Sequence, residues 1–555
     1  MNRCLILFLT VLPSLLLAQA NTIGLIQYDP GNTEGYVLFS PNVSDTTYLV
    51  DKCGYRVHDW PSNQSPGQSV RLLEDGTLLR PGRSNNPAFN AGGQGGIIER
   101  IDWNGQVLWS YTVSSPTECQ HHDVFPMPNG NILVLSWDLK TPAQAIAAGR
   151  DTARLGISLW SEKIMELHPI GTSNATIVWQ WNAWDHLVQS FDPAKSNYGT
   201  VSQHPELIHL NQFSGSPTST DWLHCNSLDY DPVTDQIILS CHNFSELWII
   251  DHGTTTAEAA GHTGGRYGKG GDLLYRWGNP QTYARGTAAD KKFFGQHHPH
   301  RIAAGLTGAG NVLVFNNGLS RPGGSFSTVE ILQLPMDSAG NFVPPGNSRY
   351  LPDSTYWKYT APVPTDFFSQ NISGAQRLSN GNTLICSGQN GIFFEIDTAK
   401  NTVWKYICPT GNNGLPLSQG TPPSQNSVFR CTLYPINYAG FGGHALAPGD
   451  PLELNPSANT CSMLTTGFAE ATVSDRQDPE LLQRTDGSLL LKWPDAPSRI
   501  TCSLKDITGR LAGRDIEAEV TPSEPVRIDL GTVATGCYIL IVSDGLRQWS
   551  FRLLR

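Results

Sequence analysis

Residues 124–135 read VFPMPNGNILVL, two apolar runs joined by the turn sequence Pro-Asn-Gly-Asn. A second copy, RLSNGNTLI, occupies residues 377–385, and weaker copies lie at 71–79 and 308–315. Asn-Gly or Asp-Gly between apolar runs favours a type I′ hairpin, because both central residues of that turn need a positive φ. The recurring phrase therefore predicts repeated antiparallel hairpins.

A second phrase follows the hairpins: a strand, a turn, and then Trp with a further aromatic residue, as in IDWNGQVLWSY at 101–111. Two hairpins make a four-stranded unit, and units repeated in series predict a β-propeller. An array of β-sandwiches is the alternative, but the recurring Trp fits packing between neighbouring blades. The only helix we expect is a short one at 255–260. The six predicted units are 24–60, 70–112, 121–183, 224–279, 297–360 and 371–407.

The ends of the chain differ from this repeat. Arg3, a short apolar run and the small-residue pattern Ala18-Gln19-Ala20 predict a secretory signal peptide. No later apolar run is long enough to predict a membrane span. The predicted all-β organisation is a signal peptide at 1–20, a six-bladed propeller at 21–444, a Pro- and Ser-rich linker at 445–479 and a small β-sandwich at 480–555.

Composition limits the function classes. The chain has 555 residues, too many for one ordinary core, and a formal net charge of −11. That charge argues against general nucleic-acid binding, which requires basic patches. Of 11 cysteines, one lies in the predicted signal peptide. Some of the others are expected to pair in an oxidising compartment, but no spacing matches a structural zinc site and the pairing cannot be read from the sequence.

Histidines cluster directly before the first strands of several units. They are His121 and His122, then His224, then His297, His298 and His300, while the matching segment of a later unit carries Asn371. The first strand of a propeller blade lines the central channel, so these side chains are expected to converge at one channel mouth. Such a mouth is a common ligand pocket.

Other interpretations of these residues are weaker. An isolated histidine is more often a surface or hydrogen-bonded residue, but three matching positions favour a site. His297, His298 and His300 with Asp123 could ligate a metal, yet adjacent strand residues point to opposite faces, so no metal is predicted. The glycine-rich stretch 261–271 lacks the order of a phosphate-binding loop and is interpreted as a flexible blade insertion.

Three blocks resemble the arylsulfotransferase family. They are DWLHCNSLDY through SELWIID at 221–251, FGQH through FNNG and on to Arg321 at 294–321, and SGAQ onward at 373–385. The resemblance extends over about 60–435. It implies an exported six-bladed propeller that moves a sulfuryl group from a phenyl sulfate to a phenol, with a histidine as covalent carrier and no nucleotide cofactor.

The resemblance also implies residue roles. The family's nucleophilic histidine is expected in a unit after Arg321, but residues 369–373 contain Asn371 and no histidine, so His300 and His298 become the nearest candidates. Direct transfer and loss of activity are the other possibilities, and a secreted propeller that binds a sulfated or phenolic ligand without turnover is the alternative function. The implied catalytic residues are His224, His297, His300 and Arg321; the implied substrate-binding residues are His122, Asn226, His298 and Asn371.

The C-terminal segment GCYILIV at 536–542, followed by Asp544-Gly545 and the basic end 552–555, resembles the sorting domain of type IX secretion cargo. This resemblance implies a β-sandwich that engages the type IX machinery, and a secreted or cell-surface protein that passes through the periplasm. An ordinary carbohydrate-binding or structural sandwich is the alternative.

Overall fold

The computed structural model divides the chain into two units, Met1–Thr466 and Gly467–Arg555. It describes residues 21–213, 215–457, 461, 480–483, 489–492, 498–506, 512, 516–520, 526–528, 537–543 and 548–554. The predicted signal peptide, most of the predicted linker and several residues of the sorting-domain resemblance lie outside these ranges. The described structure is nearly all-β.

The first unit is built from short strands that alternate with turns. In chain order the strands are β1 (Gly24–Tyr28), β2 (Tyr36–Pro41), β3 (Thr47–Asp51), β4 (Arg56–Trp60), β5 (Arg71–Leu72), β6 (Leu78–Arg83), β7 (Gly96–Ile101), β8 (Val107–Thr112), β9 (Glu118–Pro126), β10 (Ile132–Lys140), β11 (Leu159–Ile170), β12 (Asn174–Asn182), β13 (Leu187–Val188), β14 (Ile208–His209), β15 (Cys225–Asp231), β16 (Gln236–Cys241), β17 (Glu246–Asp251), β18 (Tyr275–Trp277), β19 (His297–Arg301), β20 (Val312–Asn316), β21 (Thr328–Leu332), β22 (Trp357–Tyr359), β23 (Gly374–Arg377), β24 (Thr383–Ser387), β25 (Ile392–Ile396), β26 (Thr402–Ile407) and β27 (Val428–Tyr434).

Four sheets each consist of four consecutive antiparallel strands: β5–β8, β9–β12, β15–β18 and β19–β22. They correspond to four of the predicted units. The prediction of 24–60 as one unit is wrong, because β1 pairs with β26 in the sheet of β23–β26, and β27 pairs with β2 in the sheet of β2–β4. These partners are hundreds of residues apart, so no local hairpin signal marks them.

Six apolar clusters hold these sheets together, and each cluster takes side chains from two of them. The cluster around Trp181 and Trp248 joins the sheets of β9–β12 and β15–β18. The cluster around Trp404 joins the sheet of β23–β26 to the sheet of β2–β4. The other four clusters link the remaining neighbours in chain order, and one of them, around Trp60, joins β2–β4 to β5–β8. Trp60, Trp181, Trp248 and Trp404 thus pack between sheets, as the recurring phrase predicts, whereas Trp137 and Trp160 pack with Cys119 of their own sheet.

Buried polar links reinforce these contacts. The Nζ atom of Lys52 lies 2.6 Å from Oε2 of Glu395 with both side chains fully buried, and it also lies 3.9 Å from the Trp404 ring centroid. This pair connects β25 with the turn after β3. A disulfide joins Cys53 to Cys461 across 408 residues of sequence.

His252 joins two sheets by charge. It follows β17, and its Nε2 lies 3.0 Å from Oε2 of Glu166 on β11, while its Nδ1 lies 2.7 Å from Oδ1 of Asp235. Burial alone would lower the pKa of His252, but the two carboxylates outweigh it and raise that pKa to about 9. His252 is therefore a cation at neutral pH.

Helices are short. The predicted helix at 255–260 is confirmed as α2 (Thr256–Ala259), whose N-cap Thr255 forms a capping box with Glu258. A second helix, α1 (Pro142–Ala147), was not predicted. Its N-cap Thr141 forms the same kind of capping box, with Gln144. No helix in the described ranges is long and apolar enough to cross a membrane. Single 3₁₀ turns lie at Thr152–Arg154, Ala183–Asp185, Val201–Gln203, Pro280–Tyr283, Ala288–Asp290, Pro364–Asp366, Gly388–Asn390 and Ala439–Phe441.

The second unit contains two sheets. The first has the order β28, β29, β32 and the second β31, β30, β33, β34. One apolar cluster takes side chains from both sheets, including Leu491 from the first and Cys502 and Leu540 from the second. The strands are β28 (Glu480–Gln483), β29 (Leu489–Lys492), β30 (Ser498–Asp506), β31 (Ile516–Val520), β32 (Val526–Ile528), β33 (Cys537–Ser543) and β34 (Gln548–Leu554).

Candidate functional site

Four histidines from three neighbouring sheets form a continuous row of rings. His122 lies in β9, His224 directly precedes β15, His242 directly follows β16 and His297 opens β19. The ring centroids are 4.7 Å apart for His122 and His224, 5.2 Å for His224 and His242, and 5.5 Å for His242 and His297. We call this set the histidine row.

The backbone is irregular at or beside these histidines. His122, His224 and His298 have positive φ values of 51°, 48° and 54°. In β9, Gln120 and Val124 pair with residues only two apart on β10, so three residues bulge opposite one. A left-handed conformation at a non-glycine residue costs about 1–3 kcal/mol, and such strain and bulges concentrate at functional sites.

Asp221 controls the charge of His224. Nδ1 of His224 donates to Oδ2 of Asp221 over 2.5 Å. Burial alone would lower the pKa of His224, but the charge and the hydrogen bond of Asp221 outweigh it and raise that pKa above its ordinary value. The imidazolium form of His224 is thus favoured, and its Nε2–H remains to donate, because no described residue accepts from that atom.

Asn317 controls the tautomer of His297. The Asn317 Nδ2 group donates to the carbonyl oxygens of Ser369 and Ile372 over 2.8 and 2.9 Å. Its Oδ1 must therefore face His297, 2.8 Å from Nδ1, and that ring nitrogen also lies 3.2 Å from the carbonyl of Gly295. Both partners are acceptors, so Nδ1 carries the proton and Nε2 keeps a lone pair. Burial and the neighbouring histidines hold the pKa of His297 well below its ordinary value, which leaves the ring neutral.

A buried relay supports His122. Nδ1 of His122 lies 2.9 Å from Nδ1 of His121, and Nε2 of His121 lies 2.8 Å from Oε2 of Glu162. Burial raises the pKa of Glu162 and lowers the pKa values of both histidines, so the uncharged forms are favoured. Since Oε1 of Glu162 accepts from the amide of Cys225, this relay also ties β11 to β15.

A basic group lies beside the row. Arg430 and Arg71 lie 3.2 and 3.5 Å from the carboxylate of Asp123. His298 and His300 stack with centroids 4.2 Å apart, and Nδ1 of His300 lies 3.0 Å from the carbonyl of His298. Burial, together with the charges of both arginines, lowers the pKa of His300 to about 4, so both of these histidines are neutral.

Phe429 connects the two groups. Its ring centroid lies 6.0 Å from that of His122 and 5.0 Å from the guanidinium carbon of Arg430. The ion pair of Asp221 with His224 has no net charge, whereas two arginines face the single carboxylate of Asp123. Among these five residues the positive charges exceed the negative ones by one, which suits a monoanion.

Arg321 lies outside both groups. Its guanidinium stacks over Phe326 at 4.3 Å and over Phe294 at 5.6 Å, and its Nη2 donates to Thr328 over 3.1 Å. No interaction among the described residues joins it to a histidine. Phe294 also lies under Lys291, whose charge contributes to the low pKa of His242, about 4, after the larger effect of burial. Phe294 thus has the cations of both Arg321 and Lys291 on its ring.

Two predicted substrate-binding residues act through the scaffold. Asn226 is fully buried and donates to the carbonyl of Gln296 over 2.9 Å, which holds β15 against β19. Asn371 is exposed, and its carbonyl accepts from the hydroxyls of Ser369 and Ser373. It belongs to the turn whose carbonyls orient Asn317, and its side chain has no hydrogen bond in the described structure.

Three site residues were not predicted from the sequence: His242, Asp221 and Arg430. The position of His242 could have been predicted, because a hairpin register that pairs Cys225 with Cys241 places His242 beside His224. Arg430 had no local signal, since its strand β27 follows the last predicted unit. The alternative ligand set of Asp123 with the histidines of β19 does not gather around one point in the described part of the chain.

Comparison with known proteins agrees with this chemistry. Residues 83–331 match the arylsulfotransferase (ASST) family model. The matched range includes the whole histidine row and Asp221, but Arg430 lies beyond it. This match, over less than half of the chain, supports an aryl-sulfotransferase-like function at the level of the family. No curated protein matches the chain.

Solved structures give distant likenesses. A protein of unknown function from Bacteroides caccae has a TM-score of 0.39 and 10% identity, over 72% of this chain and 99% of that chain. A protein from Lactobacillus plantarum has a TM-score of 0.35 and 9% identity, over 90% and 100%. An inactive variant of virginiamycin B lyase from Staphylococcus aureus, with quinupristin, has a TM-score of 0.31 and 9% identity, over 69% and 88%.

Proposed function

We propose that the chain is an exported aryl-sulfate sulfotransferase that moves a sulfuryl group from an aryl sulfate to a phenol, with His297 as the covalent carrier. The observation that carries the proposal is the contrast between two histidines of one row. His297 is neutral with a lone pair on Nε2, and His224 is an imidazolium with a proton on Nε2. A nucleophile and a general acid are the two groups that this reaction needs.

The first half-reaction uses both groups. Nε2 of His297 attacks sulfur, an N–S bond forms, and the bond between sulfur and the aryl oxygen breaks. The leaving phenolate takes the Nε2 proton of His224, so phenol departs and His224 becomes neutral. In the second half-reaction an acceptor phenol returns a proton to His224 and its oxygen attacks sulfur, which restores His297 with its lone pair.

The basic group supplies the charge for this substrate. A sulfate ester is a monoanion, and Arg430 and Arg71 exceed Asp123 by one positive charge. Arginine presents planar donors that match such oxyanions. We assign Arg430 the clamping role that the resemblance gives to Arg321, and Arg321 the role of attracting the donor at the edge of the site. His298 and His300 then act as neutral hydrogen-bonding residues.

We also propose that the first unit is a six-bladed propeller. Support comes from its six sheets of four or five strands and from the six apolar clusters that link each sheet to the next and the last to the first. In such a ring the first strand of each blade faces the axis. This arrangement would bring His122 within β9, His224 before β15 and His297 at the start of β19 toward one point.

Trapping the intermediate tests the mechanism. The protein is mixed with phenyl sulfate without acceptor, quenched and digested, and the peptides are analysed by mass spectrometry. We expect one sulfuryl group on His297, lost when phenol is added before the quench. His297→Asn should abolish the label and turnover, while His204→Ala, at a half-buried histidine outside the row, serves as the matched control. A label on His298 or His300, or turnover by His297→Asn, would overturn the assignment.

The binding-propeller alternative gives a different result. In that case phenyl sulfate binds saturably, no peptide is labelled and no phenol is released from any donor of a panel of aryl sulfates. Because the chain then lacks turnover from the start, His297→Asn would change affinity only.

Export rests on separate support. The disulfide between Cys53 and Cys461 suits an oxidising compartment, and the N-terminal sequence suits a signal peptide. We propose a secreted or cell-surface protein that reaches the type IX machinery through its C-terminal unit. N-terminal sequencing of the exported protein should begin at Asn21, and deletion of residues 467–555 should leave the protein in the periplasm. Release of the truncated protein to the medium would contradict the sorting role.

A further inference from the structure

A second cluster of chemically active side chains lies far from the histidine row in sequence. It consists of His186, which follows β12, and of His262 and Asp272, which stand at the two ends of the glycine-rich stretch. Nδ1 of each histidine lies 2.8 Å from Oδ1 of Asp272. One donor atom from each of the three residues lies within 4.8 Å of the others, and no other such group occurs in the described part of the chain.

The hydrogen bonds of His186 show which of its nitrogens has a lone pair. Nε2 lies 2.8 Å from the carbonyl oxygen of Ala259, which can only accept, so Nε2 carries a proton. A neutral His186 then has its Nδ1 lone pair directed at the carboxylate of Asp272, which also offers only lone pairs. A cation between these atoms resolves the conflict. The alternative is a buried imidazolium that donates to Asp272, and the experiment below separates the two.

The surrounding core fixes two of the three donors in advance. The ring of Trp181 stacks on His186 with an interplanar angle of 4°, and its Nε1 donates to the carbonyl of Gly271 over 2.7 Å. The Asp272 carboxylate is therefore held beside the ring of His186. The side chain of His186 is fully buried, whereas that of His262 is 58% exposed. A metal-bound histidine typically donates its other N–H to a carbonyl, as His186 does.

We propose that His186, His262 and Asp272 bind a divalent transition-metal ion, with Zn²⁺ as the best fit. Two imidazole nitrogens and one carboxylate are ligands that Zn²⁺ accepts in a tetrahedral site, whereas Ca²⁺ and Mg²⁺ prefer oxygen alone. The exposed side of His262 leaves the fourth position to water. The site takes no part in the proposed sulfuryl transfer.

The ion has a structural task at this position. His262 and Asp272 are ten residues apart and enclose a glycine-rich loop, whose backbone loses more entropy on ordering than other sequences do. Coordination closes this loop and joins it to His186, 86 residues away. The glycine-rich stretch is thus interpreted as a metal-closed loop instead of a flexible insertion.

Metal binding by the untagged protein tests the proposal. After dialysis against a chelator, Zn²⁺ is titrated by calorimetry and the retained metal is measured by mass spectrometry. We expect one Zn²⁺ per chain. Loss of an outer partner of a ligand weakens metal binding about 10–100-fold, so loss of a ligand in His262→Ala should weaken it by roughly 100-fold or more. The variant His204→Ala removes a half-buried histidine outside the site and should bind Zn²⁺ as the unmodified protein does.

His262→Ala is the decisive variant because its side chain is exposed and its loss is compatible with folding. Protease cleavage within 262–272 gives a second readout: Zn²⁺ should slow cleavage in the unmodified protein and leave His262→Ala unchanged. No bound Zn²⁺ in the unmodified protein, or equal binding by His262→Ala, would overturn the site and favour the buried imidazolium.

Discussion

Asp221→Asn removes the carboxylate that keeps His224 protonated and leaves a side chain of the same shape. The expected result is loss of acid assistance to the departing phenolate. Without the charge of Asp221, burial dominates and the pKa of His224 falls below its ordinary value, because burial is the largest effect on this ring. The imidazolium is then scarce at neutral pH.

The size of the effect depends on the leaving group. Positioned acid–base catalysis contributes about 10²–10⁴-fold, or roughly 3–5 kcal/mol of barrier. Phenyl sulfate releases a basic phenolate, with a pKa near that of tyrosine at about 10, so it should lose most of this factor. A nitrophenyl sulfate releases a far more stable anion that needs little protonation, and its kcat should fall only a few-fold.

The dependence of the rate on pH gives a second, independent test of the acid role of His224. The first half-reaction needs protonated His224, so its rate falls as pH rises through the pKa of that ring. In the unmodified protein Asp221 raises that pKa above its ordinary value. In Asp221→Asn the falling limb of the profile should therefore move to lower pH. Single-turnover release of phenol measures both effects, with the exposed Asp337→Asn as control. Equal losses for both leaving groups, or an unmoved limb, would refute the acid role of His224.

Three further changes test the scaffold. His252 has a pKa raised to about 9 by its two carboxylate partners. Its contribution to the free energy of unfolding, up to about 3 kcal/mol, should therefore be complete below pH 6.5 and vanish as pH rises through 9. Urea unfolding at a series of pH values should show this loss of stability, and His252→Gln should not show it. Lys52→Met leaves the fully buried Glu395 without its cation and should destabilise the fold by about 3–5 kcal/mol; a loss below about 1 kcal/mol in urea unfolding would contradict that pairing. Cys53→Ser removes a disulfide and should lower the unfolding free energy by about 2–5 kcal/mol, while a reductant should destabilise the unmodified protein and leave this variant unchanged.

The repeating part of the fold was readable because its determinants are local. The turn around Gly130 and the closing Trp of each unit act within a few dozen residues, so the pattern predicts hairpins and their packing. The pairing of the strands that complete two of the sheets, β1 and β27, could not be predicted in the same way. β1 and β27 join sheets formed by distant parts of the chain, and their pairing depends on which edges remain open after the other strands have paired.

The candidate site was likewise predictable only where its residues follow the local repeat. His122, His224 and His297 were found because each begins a unit, and the structure brings their rings into one row. Arg321 and Arg430 could not be ranked from the sequence. The proposed clamp role depends on which guanidinium lies near the histidines, and Arg430, whose charge acts on His298 and His300, belongs to a strand that closes the sheet of β2–β4.

The row illustrates how identical side chains acquire opposite roles. His224 and His297 are both buried imidazoles only one ring apart, so burial and mutual repulsion favour one charge and not two. Which of the two rings carries the charge depends on one side-chain oxygen of its hydrogen-bond partner. Asp221 presents a charged oxygen and raises the pKa of His224, whereas Asn317 presents a neutral oxygen that fixes the tautomer of His297 without favouring its cation. In the proposed reaction, this separation of the pKa values of paired groups assigns acid and nucleophile, and the left-handed φ of 48° at His224 is a conformational cost of placing its ring.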